Sequence, residues 1–512
     1  MSKTSSRTSR AVAGTITSLM QYAFIMLLQF ILAPVVLRIA GKEVLGAYSF
    51  LMQIISWAAL TDLGFGVAIG RNLAQAVGLD DQRQLFRKIF ITGRTFYVVS
   101  NLACAGLILI LSWKLDSFMH MSTNVGVEAR WSLIILSIWV AIRTPLALYN
   151  DALVATQNLA AANIIMAVGA AVRLLLSLVL VLSGANLIGM ILANIIAEAV
   201  TYLLGYLWYH KIYTTDKFGW GIPDRSLFHQ MLKFGLSYMI VIVAGRLSAN
   251  TDSIIVGYIF GASAVSVYYV SQMPGTILYQ LFWKITDNSA PALNELHGRN
   301  AVSQLTGAYL RLMRYSLLLV IPLSIGLIGF NRWVITLWVG AAQYSGDVLT
   351  IALALFAITQ VVNHLNYIVL VAYGDVRIMS ILSFSGGIVK VIMAFWLGHI
   401  MGLQGVMVAN AFVDIIGFIY FSNRVWRTLG LSFGEVSRIT LFPALKSNIL
   451  PVIVMIVMLI KPPTVTWLLL FIWVSVFGIS WALGTARVGL LTEERNQINV
   501  YVKRRLNLNL RK

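Results

Sequence analysis

The chain has 512 residues, of which 59% are hydrophobic and only 11% charged, with a mean hydropathy of +0.82. So few charges cannot clothe a water-soluble surface, and so many apolar residues exclude disorder. The formal net charge of +19 would suit nucleic acid, so where the charges fall has to decide what they meet. A single cysteine, Cys104, excludes a disulfide framework and a thiolate metal centre. The six histidines lack metal-ligand spacing, and the glycine-rich nucleotide signatures are absent. No metal and no cofactor is therefore expected, and ATP is not the direct drive.

A spanning helix needs about 20 mostly apolar residues. Fourteen runs qualify: 11–37, 44–68, 89–112, 131–153, 164–183, 187–209, 234–260, 264–287, 308–330, 348–370, 379–400, 404–422, 447–461 and 464–485. The fold class is thus all-α, a polytopic membrane protein of about 14 transmembrane helices. Breaks in the seventh and eighth runs, and Pro451 in the short thirteenth, leave twelve or thirteen spans open. Helix 1 is longer than a signal-peptide core and is read as permanent; it carries no basic residue between Arg10 and Arg38.

In helix 2, Asp62 precedes Gly64, Gly66 and Gly70, which allow close helix packing or local unwinding. Arg71 then stands at the cytoplasmic mouth, as a snorkelling anchor or a ligand. The longest outside loop, 113–130, has about 18 residues and carries Asp116 and Glu128, too little for a folded domain. In helix 4, Arg143, Ala147 and Asn150 share a face and Pro145 marks a kink. Arg173 in helix 5 and Glu198 in helix 6 both lie roughly 15 Å deep, so they can pair. In helix 7, Arg246, Asn250 and Ser253 form a polar stripe while Asp252 points elsewhere. Lys284 and Asp287, three residues apart in helix 8, either neutralise each other or form a gate. Asn363, His364 and Asn366 make a polar cluster in helix 10, a satisfied group or a proton site. Lys390 and Asp414 on helices 11 and 12 repeat the arrangement of Arg173 and Glu198, fitting structural salt bridges or a relay.

With a cytoplasmic N-terminus, 24 of the 38 Lys and Arg fall in inside segments and 5 in outside loops. That bias obeys the positive-inside rule and places both termini in the cytoplasm. The basic tail around Lys503, Arg504 and Arg505 then meets anionic headgroups rather than nucleic acid. Residues 38–50 align on 258–270, and 187–198 on 403–414, at offsets of 220 and 216. Six helices lie between the members of each pair, implying two parallel lobes and a cleft suited to alternating access. The expected organisation is a cytoplasmic N-terminus (1–10), N-lobe (11–215), linker (216–230), C-lobe (231–430), helices 13 and 14 (431–485) and a basic tail (486–512).

Leu45, Gly46, Tyr48, Asp62, Leu63, Gly64 and Arg71 match the N-terminal pattern of prokaryotic oligosaccharide (O-antigen) flippases, and the chain resembles that family. Asp252, Ile254, Ile255, Gly257, Gly261 and Tyr268 resemble its second-lobe segment. The resemblance implies a member of the multidrug/oligosaccharidyl-lipid/polysaccharide exporter superfamily in a bacterial inner membrane. Such a protein would move a polyprenyl-diphosphate-linked glycan between leaflets, with polysaccharide polymerase and chain-length machinery as possible partners. It also implies a cavity lined by helices 1, 2, 7 and 8, which raises Asp62, Arg246, Asp252, Lys284 and Asp287 above the other charges. Arg246 is the expected first ligand of the diphosphate, with Asn250, Lys284 and Arg143 beside it. Asp62, Arg71, Asp252 and Asp287 are the coupling or gating candidates. The alternatives are a multidrug or metabolite antiporter on the same fold, and a membrane glycosyltransferase or polymerase, for which the loops are too short.

Overall fold

The computed structural model describes residues 7–77, 83–155, 158–212, 221–460 and 466–489. The tail residues Lys503, Arg504 and Arg505, and 216–220 of the linker, lie outside the described residues. Among the described residues the chain is helical and forms no strand.

Helix α1 (Arg7–Ile39) leads through Gly41, at φ 87°, into α2 (Lys42–Ala58). The run 44–68 does not continue as one helix. It tightens into a 3-10 turn over Ala59–Asp62, passes Leu63 (φ 50°) and Gly64 (φ 72°), and restarts as α3 (Phe65–Val77). Two successive left-handed residues cannot belong to a right-handed helix. Then come α4 (Arg83–Phe118), α5 (Thr123–Ile142) and α6 (Thr144–Ala155). The break between α5 and α6 falls at Arg143, two residues before Pro145, whose missing N–H cannot continue the ladder.

Next are α7 (Leu159–Leu182), α8 (Asn186–Ile212) and α9 (Arg225–Ala249). The Asp224 side chain caps α9, accepting from Ser226 N at 3.0 Å and Leu227 N at 3.1 Å. Those N–H groups, that of Leu227 foremost, hold its carboxyl below the usual carboxylate range. Asn250 and Thr251 interrupt the helix before α10 (Asp252–Phe260), and Gly261 separates α10 from α11 (Ala262–Gly298).

The rest comprises α12 (Val302–Val339), α13 (Asp347–Ala372), α14 (Val376–Met401), α15 (Leu403–Thr428) and α16 (Phe433–Val436). A π turn over Ser437–Leu441 joins α16 to α17 (Phe442–Ser447), followed by α18 (Ile449–Ile460) and α19 (Trp467–Gly484). Twelve helical stretches among the described residues are long and apolar enough to cross a membrane, and a bent pair within α9 makes a thirteenth. The difference from fourteen arises at 234–287. There α10 has only 9 residues, and Gln272, Gln280, Lys284 and Asp287 make α11 polar for a spanning helix. The short thirteenth run gains its length from the residues before it, since Phe433–Leu459 forms one 27-residue span.

Two compact units result, Met1–Val270 with Arg377–Val406 and Ser271–Val376 with Met407–Lys512. The first is built round an aromatic core of Phe65, Phe90, Phe96, Tyr149 and Tyr209. Phe65 and Phe96 stack at 3.8 Å, fixing α3 against α4 immediately beyond the Asp62 break. The second packs Phe330 and Trp333 of α12 against Met455, Met458 and Phe477 of α18 and α19. Leu468 and Phe471 of α19 remain about 70% exposed, as a helix face bathed in hydrocarbon requires.

Candidate functional site

In the first unit a cavity of about 240 Å³ is lined by Thr61, Asp62, Tyr97, Arg143, Asn150, Asp151 and Tyr202, among others. Asp62 reaches it because the chain turns there: its Oδ1 accepts the Gly64 N–H at 2.6 Å. Tyr97 donates its hydroxyl to Asp151 Oδ2 at 3.3 Å. A Cβ on Gly66 would sit 2.7 Å from the Tyr97 hydroxyl and 3.1 Å from Asp62 Oδ2, so only hydrogen fits between them. Gly64 meets Gly235 of α9 back to back, and a Cβ there would fall 2.6 Å from the Gly235 carbonyl oxygen. Gly64→Ala therefore adds a backbone clash to a left-handed φ worth about 1–2 kcal/mol. It is expected to lower the thermal unfolding midpoint in detergent by several degrees, whereas Gly70→Ala, which meets nothing within 4 Å, leaves it unchanged.

Glu198 of α8 is the acceptor of three donors. Its Oε1 takes Arg143 Nη1 and the Tyr202 hydroxyl, each at 2.7 Å, and its Oε2 takes Trp139 Nε1 at 2.6 Å. The pair expected between Arg173 and Glu198 is thus replaced by Arg143 with Glu198. The helix break at Arg143 brings its guanidinium to the acid that equal depth alone assigned to Arg173. Arg173 instead lines a neighbouring cavity of about 340 Å³ with Arg143, Asn194 and Glu198, and makes no ion pair among the described residues. Arg143 and Asn150 do share a cavity, as their spacing predicts, while the side chains of Ala147 and Pro145 lie outside the described residues.

The interrupted helix α9–α10 faces α2. Arg246 donates to the Ser56 hydroxyl, and Trp57 Nε1 donates to the Asn250 carbonyl oxygen at 2.7 Å. Gln53 both donates to the Ser253 hydroxyl at 2.9 Å and accepts the Ser253 N–H at 3.1 Å. The stripe Arg246–Asn250–Ser253 survives the break because Gln53, Ser56 and Trp57 lie on one face of α2. Asp252 points away from it, as expected, accepting the Tyr268 hydroxyl at 2.9 Å. Its Oδ1 lies 3.1 Å from Lys390 Nζ, so the partner of Lys390 is Asp252 and the expected pairing with Asp414 is corrected. Arg71 places its guanidinium 4.6 Å from the Phe234 ring centre, a cation–π contact the sequence did not suggest.

In the second unit Asp414 accepts from Thr359 Oγ1 and from Gln360 Nε2, the latter at 3.2 Å. Asp287 pairs with His364 Nε2 at 2.7 Å instead of with Lys284, and His364 stacks on Trp283 at 4.8 Å. Lys284 makes no ion pair among the described residues. Asn366 is satisfied, accepting the Tyr309 hydroxyl at 2.8 Å and donating to Ser422 at 3.0 Å, while Asn363 donates to the Asp414 carbonyl oxygen at 3.1 Å. Sequence reasoning missed Trp139, Tyr97 and Tyr202. Tyr202 follows Glu198 by four residues and was legible as its neighbour, whereas nothing local marks Tyr97 or Trp139. Among the described residues no group of three or more His, Cys, Asp or Glu is placed to hold a metal ion.

Solved structures of two transporter types share this fold. The lipid II flippase MurJ in an inward closed conformation superposes with a TM-score of 0.72 at 14% identity, covering 93% of this chain and 98% of its own. An inward-facing multidrug resistance MATE family transporter of the MOP superfamily gives 0.66 at 16% identity, covering 82% of this chain and 99% of its own. A MOP superfamily transporter from Pyrococcus furiosus gives 0.56 at 16% identity, covering 82% and 96%. No curated protein gives a significant sequence match. The model of the family described as polysaccharide biosynthesis protein matches residues 11–297, more than half of the chain. That match agrees with the resemblance carried by the Asp62 and Asp252 segments, and the chain belongs to the polysaccharide biosynthesis protein family.

Proposed function

We propose that the protein is a flippase that moves a polyprenyl-diphosphate-linked oligosaccharide, an O-antigen or exopolysaccharide repeat unit, across a bacterial inner membrane. Translocation runs from the cytoplasmic to the periplasmic leaflet by alternating access between two parallel six-helix lobes, with helices 13 and 14 appended. Both termini are cytoplasmic in this reading, supported by the 24-to-5 bias of Lys and Arg.

The observation that carries it is Arg246. This guanidinium lies in an apolar stretch at a broken helix, held by the Ser56 hydroxyl, and makes no ion pair among the described residues. Keeping such a charge at membrane depth costs roughly 2.5–3.5 kcal/mol even on the lenient scale, and an arriving anion recovers that cost. A diphosphate offers about two negative charges to a planar fork of N–H donors. Asn250 and Lys284 are further substrate contacts. Arg143 is committed to Glu198 and positions the cavity wall rather than the headgroup. Asp62, facing Asp151 across one cavity, is the coupling acid, with Arg71, Asp252 and Asp287 as gating groups. A polysaccharide polymerase and chain-length machinery would act on the delivered repeat unit.

The test is leaflet translocation in proteoliposomes with a matching lipid-linked oligosaccharide. Arg246→Ala is expected to slow flipping by about 10- to 100-fold, the worth of a charge-assisted hydrogen bond, and Arg246→Lys by less. A wild-type rate in Arg246→Ala discards the site, and no flipping by the wild type discards the function. The two carboxylates on one cavity favour a second reading, an ion-coupled antiporter for cationic compounds. Uptake of a cationic dye driven by a pH gradient in the same vesicles, with no lipid flipping, would select it.

A further inference from the structure

The stretch Ala160–Leu182 of α7 reaches a mean hydropathy of 2.6, and Arg173, near its middle, is its only charged residue. That is among the costliest positions for a charge, so a guanidinium kept there calls for a polar partner. The partner is not Glu198, whose two oxygens are taken by Arg143, Tyr202 and Trp139. Arg173 makes neither an ion pair nor a hydrogen bond among the described residues. Tyr48 and Tyr269 lie within electrostatic range of it, but a phenol carries no counter-charge at neutral pH.

Packing explains why this guanidinium stays accessible. Helices α7 and α8 close on each other at Gly169, where a Cβ would overlap the Thr201 hydroxyl oxygen. Beyond that crossing, Arg173 of α7 and Asn194 of α8 both line the open cavity of about 340 Å³. Asn194, like Arg173, has no hydrogen bond among the described residues. Much of the remaining wall is apolar or aromatic, with Ile25, Met52, Met166 and Trp139, whose indole is fixed by Glu198. Among the described lining residues Arg143 and Glu198 neutralise each other, which leaves one positive charge, that of Arg173.

A few fixed polar groups in an apolar, aromatic wall make a pocket for a small molecule, and about 340 Å³ lies at the small end of the range for such pockets. That suits one sugar ring rather than a whole repeat unit. A pyranose packs its C–H faces on apolar and aromatic side chains and turns its substituents to the polar ones. One guanidinium fork beside an amide matches one carboxylate in charge and in geometry. The diphosphate is a separate matter, since Arg246 is not among the residues lining this cavity. We infer that Arg173 and Asn194 form a subsite for the carboxylate of an acidic sugar within the transported glycan. The inference rests on the flippase reading above and narrows its substrate class to repeat units that carry a uronic-acid type of residue.

The experiment uses the full chain purified in detergent at fixed ionic strength, with methyl glucuronide, methyl glucoside and sodium chloride as separate probes. Binding is read from the thermal unfolding midpoint. The glucuronide is expected to raise the midpoint of the wild type, and the glucoside and chloride to raise it far less. Arg173→Gln is expected to weaken glucuronide binding about tenfold, and Arg173→Lys, which keeps the charge without the fork, several-fold. Should Arg173→Gln fail to fold, Arg173→Lys decides alone. A wild type that binds glucuronide no better than glucoside, or an Arg173→Gln protein that matches the wild type, overturns the subsite. Chloride that protects as well as glucuronide overturns the sugar and assigns the cavity to an inorganic anion. Translocation in proteoliposomes separates the subsite from the flippase reading. A polyprenyl-diphosphate disaccharide ending in glucuronate is expected to move about tenfold faster than its glucose counterpart, a preference that Arg173→Gln removes. Equal wild-type rates overturn the subsite and leave the flippase, whereas no movement of either lipid removes the flippase and leaves the glucuronide midpoints to decide the subsite.

Discussion

Lys390→Ala is expected to destabilise the protein by about 3–5 kcal/mol, the usual cost of removing one partner from a buried ion pair. The side chains of Lys390 and Asp252 are 5% and 11% exposed, so water cannot take over the lost contact. Asp252 would be left charged at the first turn of α10, next to the Asn250–Thr251 break, with the Tyr268 hydroxyl at 2.9 Å as a remaining donor. Lys390→Met combined with Asp252→Asn removes both charges while leaving Tyr268 an acceptor, and should recover most of the loss. Unfolding midpoints of the two proteins in detergent decide the matter. If the double variant is no better than Lys390→Ala, volume and packing hold α14 in place and the charges do not.

Glu198→Ala is expected to cost about 2–4 kcal/mol and to stop transport, because three donors lose one acceptor together. Its carboxylate is a quarter exposed and the Arg143 side chain 21% exposed, so the cost stays below the sum for three fully buried groups. Glu198→Gln keeps an acceptor oxygen for Trp139 and Tyr202 but surrenders the charge facing Arg143, and about half the cost should remain. Arg173→Ala is the control. It lines the same cavity wall without an ion pair, and its removal should leave stability within about 1 kcal/mol of the wild type. Equal losses for Glu198→Ala and Arg173→Ala would mean that cavity volume, not the hydrogen-bonded hub, holds α5, α6 and α8 together.

The class of fold was legible because hydropathy is a bulk property: every apolar run fell on helix, although 44–68, 131–153 and 234–260 are each divided by a break. Breaks were harder. Gly64 and Pro145 announced two of them, since each alters what the backbone can do at its own position. The interruption at Asn250 and Thr251 was marked by Arg246, Asn250 and Asp252 in the seventh run, but not as a helix end, and it converts one expected span into α9 and α10. Pairing was least legible. Equal depth linked Arg173 to Glu198 and Lys390 to Asp414, but depth fixes only one of the three coordinates a contact needs. Arg143 won Glu198 through a helix break, and Lys390 found Asp252 in a helix more than 130 residues earlier. Asp62 and Asp252, the acids of the two segments that carry the family resemblance, both sit at chain interruptions with their carboxylates engaged.

The meeting of Gly64 and Gly235 brings two backbones together without any intervening side chain. Where side chains intervene, one helix passing another has to lift knobs out of holes, and close packing makes that a stepwise event. On either side of the glycine contact the same two helices are clasped by side chains, Phe65 against Phe228 at 5.7 Å and Arg71 over Phe234 at 4.6 Å. A bare-backbone contact flanked by such clasps is a fixed bearing, and the carboxylate of Asp62 is held two residues from it.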